Sequence, residues 1–261
     1  MSSTRYGFLL TQLVMRDIAG RYRGSTLGKL WVLLSPLIML AVYTFVFSVV
    51  FKVRWNTGDT SSNTDFALNL FVGVLLHALL GETLARSPGI MRGNASYVKK
   101  MIFPLWLLPL SVVISALVFC LFGFGVFLLF FVVFNGLPPV AALLLPLLLL
   151  PLALFALGVG WFLAALGVYL RDIEQVTPFF VTVLMFMAPI FYPASAIPEG
   201  YRWLLQLNPL TYPVEAIRDL FFLGRVFEPV GYLLYSGCGM LVAAAGFVFF
   251  ARLRKGFADV V

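Results

Sequence analysis

Charge is scarce in this sequence. Asp, Glu, Lys and Arg make up 11% of its 261 residues, and only 11 residues are acidic. A soluble domain carries about a quarter charged residues, so an ordinary water-facing globule is excluded. There is one histidine, which argues against a zinc site built on imidazoles. Two cysteines, Cys120 and Cys238, both fall inside apolar runs and read as small buried hydrophobes. They provide neither a disulfide framework nor a Cys/His metal spacing. The phosphate-binding pattern Gly-x-x-x-x-Gly-Lys-Ser/Thr is missing, since Gly28-Lys29 runs into Leu30; a chain without it has no P-loop for a nucleotide. A Gly-x-Ser-x-Gly elbow and a His-Glu-x-x-His helix are missing too. The reading is a chain with no catalytic centre and no resident metal.

What is present is hydrophobic: 62% of residues, 16% aromatic, with a mean hydropathy of +1.01. That composition belongs to polytopic membrane proteins. A spanning helix needs about 20 apolar residues, and the charge-free runs can be assigned on that basis. Leu30 to Phe51 is one, long enough to be a retained helix rather than a cleaved leader. Phe66 to Ala85 carries only Glu82. Between Lys100 and Arg171, 70 residues carry no charge. As a single helix these would reach about 105 Å, so they must cross twice, turning at Asn135-Gly136-Leu137-Pro138-Pro139. Gln175 to Pro198 and Pro229 to Ala251 complete the set. The expected fold is all-α, a single membrane domain over 1–261, with spans at 30–51, 66–85, 105–134, 140–170, 176–192 and 229–251.

Six crossings put both ends on one side. On that side fall Arg5, Arg16, Arg21, Arg23, Lys29, Arg86, Arg92, Lys99, Lys100, Arg171, Arg252, Arg254 and Lys255; on the other, Lys52, Arg54, Arg202, Arg218 and Arg225. This bias of 13 to 5 places both termini in the cytoplasm. It also accounts for the net charge of +7 without nucleic acid. Anionic lipid headgroups are the expected contact.

Three segments outside the spans are patterned. In 1–29, Leu9, Leu10, Leu13, Val14 and Ile18 recur at helical spacing. They suggest an amphipathic interfacial helix followed by a hinge at Gly24-Ser25. Residues 86–105 carry four cations and no acid, with Tyr97 and Lys99-Lys100 suited to a short docking helix. Residues 193–228 are unusually apolar for a loop. Pro198 opens a first short helix, Asn208-Pro209 stops it, Pro213 begins a second, and Gly224 lies past its end. At about 10 residues each, such helices are too short to span; a re-entrant pair shielded by protein is expected. Within the spans, Asn69, His77 and Glu82 do not share a helix face, and Glu82 stands four residues from Arg86. The alternation Ala156, Gly160, Ala164 and the pair Gly239, Ala243 are close-packing faces. Phe179, Phe180, Phe186, Phe191 and Tyr192 crowd the fifth span, either as lipid-facing bulk or as a wall on which sugar rings stack.

Four motif groups carry a resemblance. They are Leu13-Val14-Met15-Arg16-Asp17 with Arg21-Tyr22-Arg23, Leu27-Gly28, Trp31 and Ser35-Pro36; Asn94, Lys99-Lys100, Phe103-Pro104 and Leu108-Pro109-Leu110; Leu166-Gly167-Val168 with Arg171-Asp172-Ile173 and Pro178; and Pro189-Ile190-Phe191-Tyr192-Pro193, Pro198-Glu199, Asn208-Pro209-Leu210-Thr211 and Glu215-Ala216-Ile217-Arg218. In order and spacing, over roughly residues 10–250, the chain resembles type-2 ABC exporter permeases. The subgroup it looks most like exports polysaccharides: O-antigen, capsule or teichoic acid.

That resemblance implies a homodimer in the bacterial inner membrane, served by two copies of a separate ABC ATPase subunit that bind the ATP and Mg. It implies ATPase-docking residues at Arg16, Asp17, Arg21, Tyr22, Arg23, Arg92, Asn94, Tyr97, Lys99, Lys100, Arg171 and Asp172. A channel wall would include Phe179, Phe180, Phe186 and Tyr192. An outer gate would include Trp203, Asn208, Pro209, Glu215 and Arg218. The cargo would be a lipid-linked polysaccharide, or alternatively a lipo-oligosaccharide or a smaller lipid or drug. One departure is visible: Leu105-Trp106 follows Phe103-Pro104 where such permeases often carry a charged or polar residue.

Overall fold

Inside hydrocarbon every backbone N–H and C=O must find its partner within the segment, which leaves helices or closed barrels. The computed structural model describes residues 3–21, 28–46, 63–99 and 103–260, and among them there are helices and no strands. The helices are α1 (Ser3–Arg21), α2 (Trp31–Thr44), α3 (Asn63–Arg86), α4 (Ala95–Lys99), α5 (Leu107–Asn135), α6 (Leu145–Tyr169), α7 (Ile173–Phe186), α8 (Arg202–Gln206), α9 (Thr211–Arg218), α10 (Pro229–Leu253) and α11 (Phe257–Val260). Four are long and apolar enough to cross a membrane: α3, α5, α6 with the short turn before it, and α10 with the residues after it. The chain is a multi-pass membrane protein. α7, at 14 residues, is a shorter apolar helix. The first predicted span, 30–51, is described only as far as residue 46.

The break in the long uncharged run falls where the turn residues stand. α5 ends at Asn135, and Gly136 adopts φ 83°, a conformation that only glycine takes without strain. Pro139 then leads into a short 3-10 turn and α6. α6 and α10 lie backbone to backbone. A Cβ on Gly246 would overlap the Gly158 carbonyl, and one on Gly158 would overlap the Val242 carbonyl. Small residues at this contact let the two helices approach closely without relying on a hydrophobic drive, which hydrocarbon cannot supply.

Among the described residues the buried side chains form two apolar clusters. The larger joins α3, α5, α6, the end of α7 and α9, with Phe71, Phe124, Phe127 and Phe221 fully buried. The second lies at the end where α1 and α11 sit, here termed basal. It gathers Leu13, Met91, Val98, Leu107, Trp161, Phe250 and Phe257. At about 1.5 Å per residue the 29 residues of α5 extend about 43 Å, beyond the ~30 Å hydrocarbon core. Its basal turns are covered by α1, with Tyr6 edge-on to Trp106 at 6.0 Å and Leu13 and Val14 buried. α11 closes the same end. Phe257 packs on Phe250 at 5.4 Å, and the Tyr169 hydroxyl donates to the Leu253 carbonyl at 3.1 Å.

Candidate functional sites at the two ends

At the basal end, four charged residues from α1 and α3 close a ring. Arg21 forks onto Glu82, with one arm at 2.9 Å, and lies 3.5 Å from Asp17. Arg86 forks onto Asp17, with one arm at 3.0 Å, and donates to Glu82 at 2.8 Å. The sequence places these residues one helical turn apart on each helix, Asp17 with Arg21 and Glu82 with Arg86, so two like stripes meet face to face. The side chains are 21–33% exposed, so solvent screens the pairs only in part. Burial pushes the Asp17 carboxyl up. The hydrogen bond and charge of Arg86, then Ser115 and Arg21, outweigh it and hold the group below its ordinary 3.8. Arg16, Asp17, Gly20, Arg21, Glu82 and Arg86 line a cavity of about 540 Å³.

The ring continues into α4. Arg16 donates to the Tyr97 hydroxyl at 3.2 Å and to Asn94 Oδ1 at 3.1 Å, and the Tyr97 ring stacks on Phe103 at 4.6 Å. Arg92 pairs with Glu174 at the start of α7, 2.6 Å away. A Cβ at Gly89 would overlap that carboxylate, so glycine opens the space it occupies. α1 and α3 are thus joined at the basal end by ion pairs, α4 by hydrogen bonds from Arg16, and α7 by the Arg92–Glu174 pair. Many residues assigned to docking also hold one another within the chain: Arg16 with Asn94 and Tyr97, Asp17 with Arg86, Arg21 with Glu82, Arg92 with Glu174. Lys99, Arg171 and Asp172 remain exposed, as do Arg252, Arg254 and Lys255. Tyr22, Arg23 and Lys100 lie outside the described residues, as do the Gly24-Ser25 hinge and Lys52 and Arg54.

The distal end is built differently. Residues 198–224 form a hairpin of short helices, α8 and α9, with a 3-10 turn before α8 and a π-helical turn after α9. Gly224 closes it with φ 61°. Phe221 seats it edge-on against Phe127 at 4.9 Å and Phe131 at 5.5 Å. The polar side chains here reach for main-chain carbonyls. Asn208 donates to the Leu184 carbonyl at 2.8 Å and accepts from the Leu210 amide at 3.0 Å. Tyr235 of α10 donates to the Pro209 carbonyl at 2.8 Å, and Tyr192 to the Phe186 carbonyl at 2.7 Å. Arg218 is 6% exposed and donates to the carbonyls of Asn69, Pro189 and Ile190. Trp203 and Glu215 face outward.

Of the aromatics assigned to a channel wall, Phe179, Phe180 and Phe186 are 67%, 56% and 58% exposed on α7. Tyr192 is half-buried. The sequence reading missed Glu174, Tyr235 and Phe257. Glu174 had a signal: with 11 acids in the chain, one that follows Arg171-Asp172 within three residues is a natural partner for the acid-free basic segment. Tyr235 and Phe257 had none, because aromatic residues abound.

Comparison with known proteins then gives this geometry a lineage. A family model described as "ABC-2 type transporter" matches residues 9–222. An O-antigen export system permease protein of Klebsiella pneumoniae is 26% identical over 255 residues, covering 97% of this chain and 95% of the relative. Its counterpart in Myxococcus xanthus is 26% identical over 259 residues, 98% of this chain and 96% of the relative. A polysialic acid transport protein of Escherichia coli is 22% identical over 219 residues, covering 84% and 83%. With most of its length matched, from α1 through the distal hairpin, the chain belongs to the ABC-2 type transporter family of membrane proteins.

Proposed function

We propose that this chain is the permease subunit of an exporter that moves a lipid-linked polysaccharide across the bacterial inner membrane. ATP is hydrolysed on a separate ABC subunit, present in two copies, and the permease itself pairs as a homodimer. In this reading α2 and α7 complete six crossings, both chain ends face the cytoplasm, and the basal end receives the ATPase. The distal hairpin is re-entrant and gates the outer mouth. The exposed Phe179, Phe180 and Phe186 face the path of the glycan, where aromatic faces suit sliding sugar rings.

The observation that carries the reading is the basal assembly. Ion pairs tie α1 to α3, Arg16 of α1 bonds Asn94 and Tyr97 at α4, and Arg92 in the turn before α4 pairs with Glu174 of α7, making one plate on which Lys99, Arg171 and Asp172 stand exposed. A plate of this kind passes a push from below to several helices at once. The family match and the export functions named for the relatives support the cargo class. The test is genetic and biochemical together. Deleting the chain should abolish surface polysaccharide and leave lipid-linked glycan inside the cell. Charge reversal at Lys99 and Arg171 should reduce permease-stimulated ATP hydrolysis by the partner in vesicles without lowering the amount of folded permease. Normal surface polysaccharide in the deletion strain contradicts the cargo, and unchanged stimulation contradicts the docking face.

A further inference from the structure

Resting on that reading, we infer that α3 and α7 act as a linked pair of rods joining the basal plate to the distal hairpin, with Arg218 as the positioning residue at the far end. Both helices are gripped at both ends. At the basal end Glu82 and Arg86 of α3 hold α1, and Glu174 of α7 holds Arg92. At the distal end a single guanidinium binds both: Arg218 Nε and Nη2 donate to the Asn69 carbonyl of α3 at 3.0 and 2.8 Å, and Nη1 and Nη2 donate to the Pro189 and Ile190 carbonyls just past α7 at 2.5 and 3.1 Å.

Between the grips α3 is packed against Val181 of α7 and against Ile190 just past its end. A Cβ at Gly73 would crowd Ile190, one at Gly81 would crowd Val181, and His77 Nε2 lies 3.0 Å from the Val181 carbonyl. Packed helices of this kind shift as units because a close-packed contact does not deform continuously. From Asn69 to Glu82 the rod covers about 20 Å at about 1.5 Å per residue. Arginine is suited to its far end. Its fork can address three carbonyls in fixed directions, whereas a lysine ammonium is a point charge on a flexible stem. Carbonyls just past a helix C-terminus also favour a cation. Arg218 therefore ties α9, and the hairpin it belongs to, to whatever motion the basal plate imposes.

The test reads hairpin seating in the full chain in nanodiscs, without partner or cargo. Native Cys120 and Cys238 are replaced by alanine, and Ala216→Cys places a buried thiol on α9. Its labelling rate by a maleimide reports lifting of the hairpin. Glu82→Gln, at the other end of α3, should raise that rate at least about threefold, a coupling of the size measured between interacting groups. In an Arg218→Lys background the starting rate should already be raised, and Glu82→Gln should add little. If Glu82→Gln leaves the rate unchanged, or multiplies it by the same factor in both backgrounds, the inference is overturned. Arg218→Met repeats the cycle with the charge removed; if it yields no monodisperse protein, the lysine variant decides alone. Surface polysaccharide in cells is scored separately. Coupling between the ends together with normal export in a strain lacking the chain would overturn the exporter reading and leave the rods. Lost export with no coupling would do the reverse.

Discussion

The two ends of this molecule are held by different chemistry. The basal end is joined by charged side chains meeting charged side chains: Arg21 and Arg86 on Glu82 and Asp17, Arg92 on Glu174. The distal end is joined by side chains meeting the backbone: Arg218, Asn208, Tyr192 and Tyr235 all donate to carbonyls. Ion pairs at a part-exposed surface are individually weak and respond to salt and pH. A buried guanidinium bound to carbonyls leaves those bonds unmade if it is lost, and strands its own charge if the carbonyls move away. The basal end is therefore built to be adjusted, and the distal end to stay seated until something pulls it.

The sharpest break of this contrast is Arg218→Met. Removing a buried, multiply bonded charge and orphaning its acceptors should cost about 3–5 kcal/mol, read as a lower unfolding midpoint in detergent with loss of protection of residues 198–224 in hydrogen exchange. A drop under about 1 kcal/mol would place the distal end in the same class as an exposed basal pair. Next is Glu82→Gln, which leaves Asp17 as the remaining carboxylate in the ring for Arg21 and Arg86. About 1–2 kcal/mol of stability should go, with exchange of α1 rising first, and exchanging the charges of Asp17 and Arg86 should recover part of what either single reversal loses. Arg92→Gln should cost about 1 kcal/mol or less, loosening the turn before α4 from α7 while leaving the hairpin protected.

The smallest effect is in pH. A carboxyl held below its ordinary 3.8 in the folded chain contributes stability that is complete above that value and is lost as pH falls through the lowered one. Attachment of α1, read by exchange of its amides, should stay flat from about pH 5 to 8 as far as Asp17 is concerned, and weaken only below its unfolded value. In Asp17→Asn that acid step should vanish.

The same contrast explains what could be read from the sequence. Asn135-Gly136 stopped a helix and Gly224 closed the hairpin because their backbone needs are written in residue type. Glu82 with Arg86 was legible as a turn-spaced pair. The hairpin's second helix begins at Thr211, two residues before the proline expected to open it, since proline is tolerated anywhere in a first turn. The basal residues were assigned outward to a partner through the family resemblance, and their contacts within the chain could not be read. Their acids arrive from helices far away in the chain, and spacing alone cannot bring Glu174 to Arg92. Arg218 was named for the outer gate through the resemblance, but its bonds were the least legible. Its partners are carbonyls, one of them 149 residues away, and a carbonyl has no letter in the sequence.

The most direct test of the whole account is transport in proteoliposomes. This chain, reconstituted with its ABC ATPase and lipid-linked polysaccharide, should move the glycan across the bilayer only when both proteins and ATP are present, and the chain by itself should hydrolyse no ATP. Glycan movement without the ATPase, or ATP cleavage by the isolated chain, would contradict it.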